Sequence, residues 1–310
     1  MNPKSLSHRP GPACFLRVAA IILAVLVWNR PAFCGEIHDA ARSGDLGKVK
    51  ALLKANPDLV SSSDTNQYTP LLWATRCDHP NVAEWLLANQ ADVNATNSYG
   101  VTALHLAAAD DYPRLVALLL AHNANVNARN SSGETPLHLS AVKGNTDVAV
   151  LLLSSNADVN ATNNNGRTPL HWAAALGHQD MVELLIDNRA NVNVKDNLGG
   201  TPLHLAASNK KDGLVRLGND AGTVRWAHSH FLQVAELLLA NEADVNARDN
   251  YGMTPLHCAA YNGNQEMIKL LLAGKADVNA KANDGSTPFE LAVLQNQTDA
   301  ADLLRRHIGH

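Results

Sequence analysis

Apolar residues recur along this chain in pairs of short blocks. One block is a compact run rich in small alanines, such as Pro169 to Ala175, and the other has Met181, Val182 and Leu185 at helical spacing. Apolar positions three to four residues apart are typical of one face of an α-helix. Each pair of blocks therefore predicts two helices, and the alanines of the first allow neighbouring helices to approach closely.

Seven threonines mark a fixed interval between these pairs. Five of the six intervals are 33 residues long and the sixth is 53. Most of the threonines begin T-P-L-H or a near copy, and A-D-V-N or A-N-V-N follows about 25 residues later. Self-similarity at such a period indicates stacked helical repeats. The threonines are Thr69, Thr102, Thr135, Thr168, Thr201, Thr254 and Thr287.

Local signals predict where the first helix of each copy begins and ends. Thr168 can cap a helix with its hydroxyl, and Pro169 suits the first helical position, where no amide donor is needed. Gly177 lies where that helix must end. Between copies, pairs such as Asn165-Gly166 predict a tight hairpin.

The second helix of each copy also needs a residue that tolerates a left-handed backbone conformation. Two copies carry an asparagine directly before the A-D-V-N or A-N-V-N motif, Asn123 and Asn156. Asparagine and glycine adopt this conformation more readily than other residues. In the other copies we expect that role to fall to the residue one position earlier, which is Asn89, Asn188, Asn241 or Gly274.

These copies resemble ankyrin repeats in T-P-L-H, in the glycines and in A-D-V-N, and the match covers nearly everything after residue 35. The resemblance implies an all-α solenoid of helix-turn-helix units joined by short β-hairpin loops that project as fingers. It also implies that the T-P-L-H histidines bond to neighbouring hairpin backbone. We expect one elongated domain, 36–310, of about eight repeats: 36–67, 68–100, 101–133, 134–166, 167–199, 200–252, 253–285 and 286–310.

Residues 1–35 have a different character. Lys4, Arg9 and Arg17 precede the apolar run Val18–Trp28, which is too short to span a bilayer comfortably. This pattern predicts a secretory signal peptide and an exported protein, periplasmic or secreted. The alternative is an uncleaved membrane anchor at residues 18–28, which would be the protein's sole membrane contact.

Charge excludes one class of partner. Without the four basic residues of the leader, 21 basic residues remain against 29 acidic ones, a net charge near −8. Nucleic-acid binding normally needs a basic face that neutralises phosphates. We therefore expect protein partners, and no nucleic acid.

No catalytic or metal-binding motif is present among the repeats. The sequence predicts no enzymatic activity, no cofactor and a monomer. The alternative is an accessory or metal-dependent enzyme working through the insertion at about 210–229, beside which His228 and His230 could bind a metal weakly. A third possibility is a rigid spacer that needs no partner.

The insertion accounts for the 53-residue interval and adds 20 residues. Aligning Ser208 with the end of one helix and Phe231 with the start of the next places it at their connecting turn. Long loops in compact folds are usually functional or disordered. The insertion is either a tolerated extension or a second contact surface centred on Trp226.

Resemblance to the family places recognition on the hairpin tips and on the exposed side of each first helix. Tyrosines are plausible anchors, because the ring gives contact area at low entropic cost. The candidate partner-binding residues, which match neither the repeat consensus nor the expected core, are Tyr68, Arg76, Tyr99, Glu134, Lys143, Arg167, Leu176, Leu198, Tyr251, Met253 and Tyr261, with Trp226 of the insertion.

Overall fold

The computed structural model describes residues 35–208 and 228–308, and within those ranges every regular element is helical. The first helices of successive repeats are α1 Glu36–Ser43, α3 Pro70–Arg76, α5 Ala103–Ala109, α7 Pro136–Lys143, α9 Pro169–Leu176, α11 Pro202–Ala207, α13 Pro255–Asn262 and α15 Pro288–Leu294. The second helices are α2 Leu46–Ala55, α4 Pro80–Ala88, α6 Pro113–Ala121, α8 Thr146–Ser154, α10 Gln179–Asp187, α12 His228–Ala240, α14 Gln265–Ala273 and α16 Thr298–Ile308. A 3-10 turn, Pro57–Ser61, follows α2.

The helices form two layers. Each first helix packs on the first helix of the next repeat, and each second helix packs on the next second helix. Among the described helices, the extensive contacts join elements of the same repeat or of adjacent repeats. This nearest-neighbour pattern is that of a solenoid, as the sequence predicted.

Leucine and alanine fill the space between the layers. Leu104, Leu137 and Leu170 take the same place in three successive first helices and are fully buried. Ala141 and Ala174 are equally buried. Because an alanine at the helix contact leaves little bulk between two backbones, each repeat can lie closely against the next.

The threonine caps are present as predicted. Thr168 is the extended residue before α9, Pro169 is the first residue of that helix, and His171 completes a capping box by accepting the backbone N–H of Thr168 at 3.1 Å. Gly177 ends the helix with a φ of 72°. The sequence signals for the first helix are therefore confirmed.

The prediction for the end of the second helix is confirmed for Asn123 and Asn156, whose φ is 62° and 66°, and is wrong for the other copies. The left-handed residue is the one directly before the motif whatever its type, including Arg189 and Glu242 with φ of 68° and 65°. Asn188, which was expected to take this conformation, has a φ of −91°. The helix closes by a bond from the N–H of Ala190 to the carbonyl of Leu185 at 2.9 Å, and this reversal needs a positive φ at the intervening residue.

Asn188 has another role. Its Nδ2 donates to the carbonyl of Leu184 at 2.8 Å, and Asn89 and Asn241 make the same bond to the residue four positions earlier. Each of these carbonyls also accepts the backbone N–H of the same asparagine at 3.1–3.2 Å, so the side chain adds a second bond at the end of the helix.

The fingers between repeats are tight turns. Asn163 Oδ1 accepts the N–H groups of Asn165 and Arg167 at 2.9 and 3.0 Å, and the N–H of Asn163 donates to the carbonyl of Arg167 at 2.8 Å. Neighbouring fingers are joined as well, by a bond of 2.9 Å from the N–H of Asn197 to the carbonyl of Asn165. The hairpin bonds exist, but in the part of the chain that the structure describes no residue is in a β-strand.

Two predicted segments fall on undescribed parts of the chain. Residues 1–34, predicted as a signal peptide or anchor, lie outside the described residues, and so do residues 209–227, which include Trp226 and most of the insertion. The following helix begins at His228, three residues before the predicted start at Phe231. Of the helices in the described ranges, none combines the length and hydropathy needed to cross a bilayer.

Candidate protein-interaction surface

The hairpin tips present two tyrosines to solvent on a fixed backbone. The side chains of Tyr99 and Tyr251 are 49% and 54% exposed. The carbonyl of Tyr99 accepts the N–H of Ser131 at 2.9 Å, and the carbonyl of Tyr251 accepts the N–H of Asn283 at 2.8 Å. Because the next finger holds the backbone, each ring is presented at a defined position.

The ends of the first helices carry a second set of candidates. Lys143 is exposed, and Arg76, Leu176 and Tyr261 are half-buried. Burial raises the pKa of Asp110, which lies between Arg76 and Lys143 along the stack, while those two cations lower it. This part of the surface therefore alternates in charge from one repeat to the next.

Three of the predicted contact residues are buried instead of exposed. Tyr68 and Glu134 are 9% exposed and Arg167 is 5% exposed. All three directly precede a capping threonine, at the base of a hairpin, where the neighbouring fingers cover them. Their assignment outside the core was wrong, and they contribute little contact area.

Their burial has a structural explanation in each case. Tyr68 lies 4.8 Å from the ring of Trp73. Arg167 Nε bonds to Asp196 Oδ2 at 3.1 Å, and its guanidinium lies 5.2 Å from the centre of the Trp172 ring.

Glu134 accepts a hydrogen bond from Asn130 Nδ2 at 3.2 Å, and burial raises the pKa of its carboxyl. The remaining two candidates, Leu198 and Met253, are half-buried in the hairpins.

Five histidines form what we call the histidine ladder. In His105, Nδ1 accepts from Thr102 and Nε2 lies 2.9 Å from the carbonyl of Glu134 in the next hairpin, as the resemblance implied. Burial lowers the pKa of the imidazole to about 4 in His105, His138 and His171. These side chains are neutral and fully engaged at pH 7, so they join repeats. The ladder consists of His105, His138, His171, His204 and His257.

The described residues bring no metal site together. Among them, no group of three or more His, Cys, Asp or Glu side chains is arranged to hold an ion. His230 is half-buried in the first turn of α12, while the side chain of His228 lies outside what the structure describes.

One set of exposed, positively charged residues was not singled out in the sequence analysis. The position six residues before each capping threonine is occupied by Lys195, Arg248 and Lys281 in three successive hairpins, and all three are exposed. Aligning the copies column by column would have revealed this set, whereas a search for residues that differ from the consensus did not.

Comparison with known protein families extends over most of the chain. A family model described as "Ankyrin repeats (3 copies)" matches residues 37–97, 89–163, 155–217 and 225–310. A second, described as "Ankyrin repeat", matches residues 198–250, the repeat that holds the insertion.

Among curated proteins, the chain is similar to the NAD-capped RNA hydrolase NUDT12 of Homo sapiens, Pongo abelii and Macaca fascicularis. Each is 32% identical over 57 residues, which is 18% of this chain and 12% of the relative. The chain thus covers a small part of these relatives, and the hydrolase activity in their name is theirs.

Proposed function

This chain belongs to the ankyrin repeat family, whose repeats act as protein–protein interaction modules, and from that premise we propose that it binds a protein partner outside the cytoplasm. The binding surface in this proposal consists of the hairpin tips and the exposed ends of the first helices.

The observation that carries the proposal is the exposure of Tyr99 and Tyr251 on hairpins whose backbones are fixed by their neighbours. A large ring on a backbone that is already fixed loses less entropy on contact, and aromatic residues are enriched among those that dominate binding energy. Lys143, Leu176 and Tyr261 extend this surface toward the ends of the first helices.

The location rests on the N-terminal sequence. Three basic residues ahead of the apolar run Val18–Trp28 are the pattern of a secretory signal, which supports export to a periplasm or to the exterior. Fractionation of cells expressing the full chain, followed by N-terminal sequencing of the product, tests this. Intact Met1 in a cytoplasmic fraction would contradict it.

Capture experiments test the binding surface. We expect Tyr99→Ala combined with Tyr251→Ala to lose proteins that the full chain captures from an envelope fraction. Val150→Ala is the matched control, because Val150 is 49% exposed but lies on the second helix α8. Equal capture by the tyrosine variant and the control would contradict the proposal.

A further inference from the structure

The three exposed cations noted above form a row, which we call the cationic row: Lys195, Arg248 and Lys281. They occupy the same position in three successive hairpins. The hairpins toward the N-terminus carry Thr96, Arg129 and Thr162 at this position. Three exposed cations therefore follow one another at one end of the finger edge, on a chain whose overall net charge is −4.

Hydrogen bonds hold the row in register. Lys195 Nζ donates to the carbonyl of Arg248 at 2.8 Å, and Arg248 Nη2 donates to the carbonyl of Lys281 at 2.7 Å. Each of these two side chains donates one N–H group to the next hairpin and has further N–H donors. With repeats packed about 8–10 Å apart, the positive charges follow one another at roughly 10 Å.

Carboxylates lie in the same loops as the row. Among the described residues, none forms an ion pair with any of the three cations. The acids of the same loops have a different task, since each accepts at least one backbone N–H of its own hairpin at 2.8–2.9 Å. These acids are Asp196, Asp244, Asp249, Asp277 and Asp284.

The cations are not required for folding of the repeat. Thr96 and Thr162 occupy the same position in two other hairpins, which have the same turn. The positive charge of the row is therefore not needed to form these hairpins.

We propose that the cationic row docks an acidic segment of the protein partner in the polyproline II conformation, with a carboxylate at every third residue. A polyproline II helix has three residues per turn and rises about 3.1 Å per residue, so every third side chain points the same way and lies roughly 9 Å further along, close to the spacing of the row. Exposed lysine and arginine attract such carboxylates and set the register of the segment. This inference rests on the proposed function and assigns the chemistry of its partner.

Defined peptides test it directly. The probe is a fluorescent Gly/Ser peptide that carries three glutamates, one at every third residue, and the reference is a peptide of the same composition with the glutamates adjacent. The variant Lys195→Thr, Arg248→Thr, Lys281→Thr copies the residue of other hairpins. The variant Lys54→Gln, Lys269→Gln, Arg306→Gln removes the same charge from exposed positions of second helices.

We expect the full chain to bind the spaced peptide about threefold more tightly than the clustered one. The threonine variant should bind the spaced peptide about tenfold more weakly, the size expected for three exposed ion pairs, and the glutamine variant should match the full chain. Binding should weaken as salt is added.

Three results would overturn the inference. The threonine variant could bind the spaced peptide as tightly as the full chain does, or the full chain could show no preference for the spaced peptide. It could also bind an oligothymidylate, a polyanion that carries phosphates instead of carboxylates, more tightly than the peptide. If the peptides fail while capture still depends on Tyr99 and Tyr251, only the acidic partner is wrong. If capture does not depend on Tyr99 and Tyr251 either, the proposed function is wrong as well.

Discussion

Arg189 and Glu242 hold a left-handed backbone conformation that glycine would adopt at lower cost. They do so because the closing bond of the second helix fixes φ at that position. The same dominance of position over residue type explains Glu134 and Arg167, whose side chains are buried at the hairpin base despite their charge. At the scale of the residue, place in the repeat decides conformation and burial.

Glycine at these left-handed positions should stabilise the fold. We expect Arg189→Gly and Glu242→Gly each to raise the free energy of unfolding by about 0.5–1 kcal/mol, because the relief of backbone strain exceeds the added entropy of the unfolded chain. Chemical denaturation measures this. Asn156→Gly is the control and should change little, since asparagine already tolerates the conformation; a loss of stability in both test variants would refute the argument.

The buried ion pair should be costly to break from one side. Arg167→Ala leaves the carboxylate of Asp196 buried without its cation, and we expect a loss of about 3 kcal/mol in the free energy of unfolding. Arg167→Met combined with Asp196→Asn should lose clearly less, because no charge is left unpaired. Equal losses in the two variants would show that the pair's charge is not what matters.

At the scale of the element, threonine, proline and histidine act together at the start of each first helix. The capping box of Thr168 and His171 fixes the helix start, and the other nitrogen of His171 contacts the carbonyl of Gly200 at 3.2 Å. One side chain thus stabilises a helix end and joins two repeats. Because the carbonyl belongs to the backbone, this link tolerates any residue at position 200.

These element-level features explain what the sequence could predict. Helix starts, the first-helix glycines and the turns depend on a few adjacent residues. Thr168, Pro169 and Gly177 were therefore enough to predict where α9 begins and ends. The burial of Glu134 and Arg167 depends on neighbouring fingers that lie about 29 residues away in sequence. The cationic row depends on register between three hairpins, which a single copy does not contain.

The histidine ladder makes stability depend on pH. The folded pKa is about 4 for His105, His138 and His171, against about 6.5 in an unfolded chain. The unfolded chain therefore binds more protons between these values, and the free energy of unfolding falls as pH drops from 6.5 to 4, by up to about 3 kcal/mol for each histidine.

Denaturation midpoints at several pH values check the ladder. Glu134 and Asp110 act in the opposite direction, because their folded pKa values are raised, but the three histidines outnumber them. His138→Gln should reduce proton uptake on unfolding by about one. A midpoint that stays constant from pH 7 to pH 4.5 would contradict this account of the ladder.

At the scale of the whole molecule, stacking turns repeated positions into continuous rows. Tyr99 and Tyr251 belong to the row of hairpin tips, and Lys195 and Arg248 belong to the cationic row beside it. The first helices form one layer and the second helices form the other, so each layer exposes its own face to solvent. In the proposed function, the face that carries the hairpin tips binds the partner and the face of the second helices contacts only solvent.

Hydrogen–deuterium exchange of the full chain, with and without the captured partner, tests this separation most directly. We predict that binding slows exchange in the hairpins around residues 97–101 and 249–253 and at the ends of α7 and α9, while exchange in α6, α8 and α10 stays unchanged. Protection confined to those second helices, with the hairpins unaffected, would contradict the account.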